Sequence, residues 1–123
     1  MGTLKVLDTN IVIYLLEGRL REPLGTARAC VSVVSEMELL SHARLDAVGV
    51  QTIRRLLAAI PVIELTRQVK EAAIELRRQH RLTIPDAIIA ATAVTLDAEL
   101  LTNDAKLAAV PGLQCRALAL KQL

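Results

Sequence analysis

Apolar residues follow two rhythms along this chain: short continuous runs, and longer stretches in which they return every three or four positions. Thr3-Leu-Lys-Val-Leu7 reads as a short buried strand that stops at Asp8. Asn10 to Leu16 predicts a helix ending before Gly18, and Glu22 to Thr26, with Pro23 and Gly25, predicts a loop or broken helix. Ala29 to Val33 is a second strand-like run. Ser35 opens a helix that continues to about Ala47, and another helix follows from Val50 to Ile60. Pro61 to Leu65 predicts a third strand. Thr66 caps an amphipathic helix with Val69, Ala72, Ala73, Leu76 and His80 on one face. Pro85 starts a nearly all-apolar helix, which argues for burial. Glu99 to Thr102 is a fourth strand, Asp104 to Ala109 a short helix, and Leu113 to Leu118 a last strand.

Short strands alternating with helices imply right-handed crossovers and a parallel sheet covered on both faces. The expected fold class is therefore α/β: a three-layer α/β/α fold with a short central parallel sheet. The 123 residues suit one domain, residues 1–123, with no internal repeat or low-complexity linker. Hydrophobic residues make up 53% of the chain, yet Tyr14 is its only aromatic. A core of aliphatic branches and alanine suits helices packed closely on a sheet.

Other classes are set aside by what the pattern lacks. The longest near-apolar stretch, Ile84 to Leu96, is broken by Asp86 and falls short of the ~20 residues a bilayer requires. No signal peptide is expected, because Asp8 interrupts the first apolar runs. Cys30 and Cys115 are far apart and form no CxxC, so buried free thiols in a reducing cytoplasm are expected. His42 and His80 make no zinc site with them at a standard spacing. No GxGxxG or phosphate-binding loop follows the first strand.

In sheets of this kind, ligands gather outside the carboxyl ends of the strands. Four acids are candidates for that edge. Asp8 ends strand one, Glu38 lies early in the helix after strand two, Asp86 is in the first turn of the apolar helix, and Asp104 follows the fourth strand. Three of them also have local explanations. Ser35-Glu-Met-Glu38 fits a capping box, Asp86 sits where a helix dipole favours an acid, and Asp104 could be an N-cap or turn residue. Asp8 is different: it stands between Leu4-Lys-Val-Leu7 and Ile11-Val-Ile13, where burying a lone charge is costly.

Carboxylates brought together repel one another until protons or a cation intervene. Oxygen ligands alone suit Mg²⁺ or Mn²⁺ better than zinc, and such an ion can activate water and neutralise charge on a phosphate. Charge supports a polyanionic substrate. The net charge is only +2, but setting the four acids aside leaves nine acidic residues against 15 basic ones. Gln51 to Thr83 is locally basic, and Arg77, Arg78 and Arg81 are its candidates for phosphate contacts.

Four blocks in order, Val6-Leu-Asp-Thr-Asn10, Ser32-Val-Val-Ser-Glu-Met-Glu-Leu-Leu40, Ile84-Pro-Asp-Ala-Ile-Ile-Ala-Ala-Thr92 and Leu101-Thr-Asn-Asp104, resemble PIN-domain ribonucleases. They look most like the VapC-type toxins of toxin–antitoxin pairs, and the likeness runs through nearly the whole chain. The resemblance implies Asp8, Glu38, Asp86 and Asp104 as metal-binding and catalytic acids. Glu38 is chosen over Glu36 because the family's glutamate precedes a leucine. Thr9, Asn10 and Thr102 match small polar residues that orient carboxylates, water or phosphate, although turn and helix capping explains them equally well. The resemblance further implies one or two Mg²⁺ or Mn²⁺ ions per site, a homodimer, and a cognate VapB-type antitoxin whose C-terminal segment covers the site. The chain departs from the pattern in two places: Ser41-His42 stands where many relatives have a glycine, and Leu107 where an aromatic is common.

The expected reaction is endonucleolytic RNA hydrolysis by metal-activated water attacking phosphorus in line, leaving a 5′-phosphate and a 3′-hydroxyl. With so few aromatics, base stacking is a poor main mode of recognition. Two other functions share these features. A non-catalytic PIN-like module would bind RNA or a partner without turnover. A haloacid-dehalogenase-type phosphatase also opens strand–Asp–x–Asp, but here Asn10 occupies the second acid's place.

Overall fold

Backbone hydrogen bonding forces the short apolar runs to pair, and they pair as expected. A computed structural model describes residues 3–25 and 27–122. Its elements run β1 (Lys5–Leu7), α1 (Thr9–Leu16), β2 (Ala29–Ser32), α2 (Val33–Leu40), α3 (Ala47–Ala59), β3 (Val62–Ile63), α4 (Arg67–Gln79), α5 (Ile84–Thr95), β4 (Glu99–Leu101), α6 (Ala105–Ala108) and β5 (Cys115–Arg116). The strands form one sheet in the order β3-β2-β1-β4-β5, and every neighbouring pair is parallel. Thr26, the end of the expected loop, lies outside the described residues.

Side chains alternate across a strand, so a sheet buried on both faces shows apolar residues at consecutive positions. Val6, Cys30 and Leu100 join one core with Val69, Ala73, Ala87, Ala90 and Leu107. Their neighbours Leu7, Val31 and Leu101 point the other way, into a core with Ile11, Val12, Leu39, Ile53 and Ile60. The alanines of α5 let that helix lie close to β1 and β2, and six of its residues are buried. This is the three-layer α/β/α arrangement expected from the pattern.

Several boundaries differ. The second helix starts at Val33, not Ser35, because Ser32 leaves β2 in extended conformation and its Oγ accepts the Val34 N–H at 3.1 Å. The expected Ser35–Glu38 capping box is therefore not formed. That helix stops at Leu40, and α3 begins earlier than expected, at Ala47, because the Asp46 carboxylate accepts the Gly49 N–H at 2.7 Å. The third and fifth strands shrink to two residues each. His80, expected on the apolar face of α4, instead follows that helix as its C-cap.

The strand order matters for function. From β1 the chain moves outward through β2 to β3, then crosses back to add β4 on the other side of β1. The carboxyl ends of β1 and β4 therefore flank the switch point of the sheet, where a crevice opens between diverging connections.

Candidate active site

Asp8 and Thr102 are the residues immediately beyond β1 and β4, and they touch. The Thr102 hydroxyl donates to Asp8 Oδ2 at 2.6 Å, and the Asp104 N–H donates to Thr102 Oγ1 at 3.0 Å. The Thr9 N–H donates to Asp8 Oδ1 at 2.8 Å, so both Asp8 oxygens are held. Asp8 thus serves as the N-cap of α1 while only 7% of its surface is exposed. Thr102 is buried as well.

Glu38 approaches from α2. The Thr9 hydroxyl lies 2.6 Å from Glu38 Oε1 and 2.8 Å from Ser35 Oγ. Thr9 therefore meets Asp8 through its amide and Glu38 through its side chain. Asp86 stands in the first turn of α5, where the Thr83 hydroxyl caps the helix by accepting the Asp86 N–H at 3.3 Å. Asp104 caps the four-residue α6, accepting the Lys106 N–H at 2.9 Å. The local explanations for Asp86 and Asp104 therefore hold in part: each sits at a helix start, and the charge of Asp104 acts on Asp86.

Electrostatics ties these positions together. Burial pushes the Asp8 carboxyl above its ordinary value of 3.8; the Thr102 and Thr9 hydrogen bonds oppose the shift, and the charges of Asp86 and Asp104 add to it. Asp86 is also raised, first by burial and then by the charges of Asp104 and Glu38, against relief from the Thr83 hydrogen bond and Lys106. Each of the four acids therefore acts on at least one other. Burial likewise raises Cys115, with a contribution from Asp8, and pushes Cys30 up to about 11. Both cysteines are free thiols, Cys30 buried and Cys115 half-buried.

The donor set is all oxygen and suits a hard divalent cation. As the side chains stand, no group of three or more His, Cys, Asp or Glu residues among the described residues closes to coordination distance. Asp8 is buried and held through both oxygens, Glu38 is exposed and held by Thr9, and Asp86 and Asp104 are half-buried.

The remaining candidates sit further out. Asn10 is exposed at the second position of α1. Arg77, Arg78 and Arg81 lie at and beyond the end of α4, all exposed. Arg77 also braces the backbone, because its Nε donates to the Leu82 carbonyl at 3.0 Å across the α4–α5 turn. Arg77 and Arg78 border a groove of about 520 Å³ between α4 and α5, floored by Ile74, Ile84 and Ile88. Two residues beside these acids carry no such signal in the sequence: Ser35, which contacts Thr9, has the pattern of a helix cap, and Lys106, whose charge acts on Asp86, lies in a segment that shows only helix periodicity.

The fold is that of a small α/β/α domain with a five-stranded parallel sheet in the order β3-β2-β1-β4-β5. The chain belongs to the PIN domain family, whose model matches residues 5–113. Ribonuclease VapC1 of Mycobacterium tuberculosis (strain ATCC 25618 / H37Rv) is 32% identical over 106 residues, which cover 82% of this chain and 78% of that protein. A toxin–antitoxin complex from Klebsiella pneumoniae is similar at 30% identity with a TM-score of 0.74, covering 89% of this chain and 94% of that one. The DNA-bound VapBC of Salmonella typhimurium shares the fold at a TM-score of 0.80 and 20% identity, covering 94% and 98%.

Proposed function

We propose that this chain is a Mg²⁺- or Mn²⁺-dependent endoribonuclease that acts as the toxin of a toxin–antitoxin pair. One observation supports the reading: the charges of Asp86 and Asp104 act on Asp8, those of Asp104 and Glu38 act on Asp86, and burial raises both Asp8 and Asp86. Such a cluster is costly for folding and is stabilised by a cation, which fits a binding role better than a structural one. The VapC1 name of the similar ribonuclease supports RNA as the substrate.

Asp8, Glu38, Asp86 and Asp104 would hold one or two ions. A divalent ion there supplies water activation and charge neutralisation at the scissile phosphate. The chain's own part is geometric: Thr102 and the Thr9 amide fix both oxygens of Asp8, and Thr9 Oγ1 steers Glu38. Lys106 adds a positive charge on the Asp86 side, where a phosphate would lie. Exposed Arg78 and Arg81 extend positive charge toward the flanking RNA.

The partner reading rests on the Klebsiella pneumoniae complex together with a groove of about 360 Å³. Ile13, Leu16, Leu39 and Ile53 line that groove, which reaches Glu38. An apolar antitoxin segment lying in it would arrive at the carboxylates. A homodimer is the accompanying expectation, and exposed Ile74 and Ile84 beside the α4–α5 groove offer it an apolar face. The chain has no helix long and apolar enough to cross a membrane among its described residues. In a reducing cytoplasm both thiols would stay free.

RNA end analysis decides the chemistry. Cleavage in Mg²⁺ or Mn²⁺ should leave 5′-phosphate and 3′-hydroxyl ends. Products ending in a 2′,3′-cyclic phosphate would overturn hydrolysis by an external water, and binding without cleavage would favour the non-catalytic module.

A further inference from the structure

Ser35 lies in the third position of α2 with its side chain wholly buried, and its Oγ is 2.8 Å from Thr9 Oγ1. The same Thr9 oxygen is 2.6 Å from Glu38 Oε1. A hydroxyl carries one proton, so Thr9 can donate to only one of these two partners. A carboxylate accepts and cannot donate, and a 2.6 Å oxygen–oxygen approach to it needs a proton between the atoms. Thr9 therefore gives its proton to Glu38. What Thr9 turns toward Ser35 is a lone pair, and Ser35 must be the donor. The proton order runs Ser35 to Thr9 to Glu38.

This order achieves what neither hydroxyl does alone. Glu38 is solvent-exposed, so water competes for its oxygens and its side chain is free to swing. A hydroxyl that already accepts a hydrogen bond is a stronger donor. Thr9 is β-branched and stiff about χ1, and its amide is engaged with Asp8 Oδ1 at 2.8 Å. A buried donor on its remaining lone pair leaves its proton one direction, toward the acid arriving from α2.

We infer that Ser35 is a positioning residue of the candidate metal site: it polarises and orients the Thr9 hydroxyl, which holds Glu38 beside Asp8. The inference rests on the reading of the four acids as a cation site. It goes beyond that reading by naming a buried side chain that touches neither ion nor substrate.

The test is calorimetric titration of Mn²⁺ into the full chain for the wild type, Ser35→Ala, Thr9→Val, Thr9→Ser and the Ser35→Ala/Thr9→Val double variant. Ser35→Ala should weaken Mn²⁺ binding about three- to tenfold, the weight of one neutral hydrogen bond. Thr9→Val should weaken it at least as much, and Thr9→Ser, which keeps the hydroxyl but not the stiff χ1, should bind more tightly than Thr9→Val. Because Ser35 acts through Thr9, the double variant should be no weaker than Thr9→Val alone. Wild-type affinity in folded Ser35→Ala, or losses that simply add in the double variant, would overturn the inference and leave the metal reading standing. If Ser35→Ala does not fold, the Thr9 pair decides: equal affinities for Thr9→Val and Thr9→Ser overturn the chain of hydroxyls. A wild type that binds no Mn²⁺ removes both readings together.

Discussion

The Thr102 hydroxyl donates a 2.6 Å hydrogen bond to Asp8 Oδ2, joining residues 94 positions apart at the ends of adjacent parallel strands. Thr102 in turn accepts from the Asp104 N–H, so one small side chain sets the spacing between two of the four acids. Thr102→Val keeps the shape and removes the hydroxyl. Mn²⁺ affinity should fall about 10- to 100-fold, the usual cost of losing a group that orients a ligand, while Thr102→Ser stays near wild type. Calorimetry on both variants checks this, and equal affinities would show the hydroxyl to be idle.

Asp8→Asn separates chemistry from folding. Asparagine can accept the Thr9 N–H with its carbonyl and donate to Thr102 with its amide, so the cap survives without the charge. RNA cleavage should be lost, and the thermal stabilisation that Mn²⁺ gives the wild type should shrink. In EDTA the variant should melt no lower than the wild type, because the raised Asp8 carboxyl marks a charge that folding does not favour. A markedly lower melting temperature in EDTA would make Asp8 a structural residue first.

Stability should depend on pH in opposite senses with and without metal. Asp8 and Asp86 are raised above 3.8 in the folded chain, so folding favours their protonated forms. Their contribution is fully present below that ordinary value and is lost as the pH rises through the raised folded values. Without metal, denaturant unfolding from about pH 4 to 7 should show wild type losing stability relative to Asp8→Asn. With Mn²⁺ the difference should reverse, because protons compete with the cation for the same oxygens. Parallel curves for the two proteins in EDTA would contradict the raised value.

The three arginines should divide by role. Arg77 holds the Leu82 carbonyl, so Arg77→Ala should lower stability by about 1 kcal/mol, read as a lower denaturation midpoint. Arg78→Ala and Arg81→Ala should leave the midpoint unchanged. Each should instead weaken RNA binding and flatten its dependence on salt, as losing one phosphate contact does. Binding isotherms at several salt concentrations distinguish these outcomes, and unchanged slopes would move the RNA track elsewhere.

Much of this was legible in the chain itself. The run Leu4-Lys-Val-Leu7 before Asp8 required a buried strand ending on a charge, because continuous apolar residues must be covered on both faces. The alanine-rich helix from Ile84 was bound to lie against that sheet, and the fold class followed from alternation. The element ends were less legible. Ser32 and Ser35 are equally able to cap a helix, and only the register of β2 against β1 and β3 decided that Ser32 does so. With the cap supplied by Ser32, Ser35 turned inward to Thr9.

By itself, then, the sequence determined the layers, the order of the elements and the residue types able to bind a cation, since periodicity and side-chain chemistry are local properties. Only the tertiary structure decided which acids act on one another. Asp8, Asp86 and Asp104 each stand at a helix start and Glu38 in the second turn of α2, and no spacing along the chain says that these positions approach one another. The crossover from β3 to β4 past β1 does that, and hydrogen bonds over 26, 29 and 94 residues then set the geometry. Contacts of that span depend on how the sheet closes, which is why Thr102 could be named from the chain while its bond to Asp8 could not.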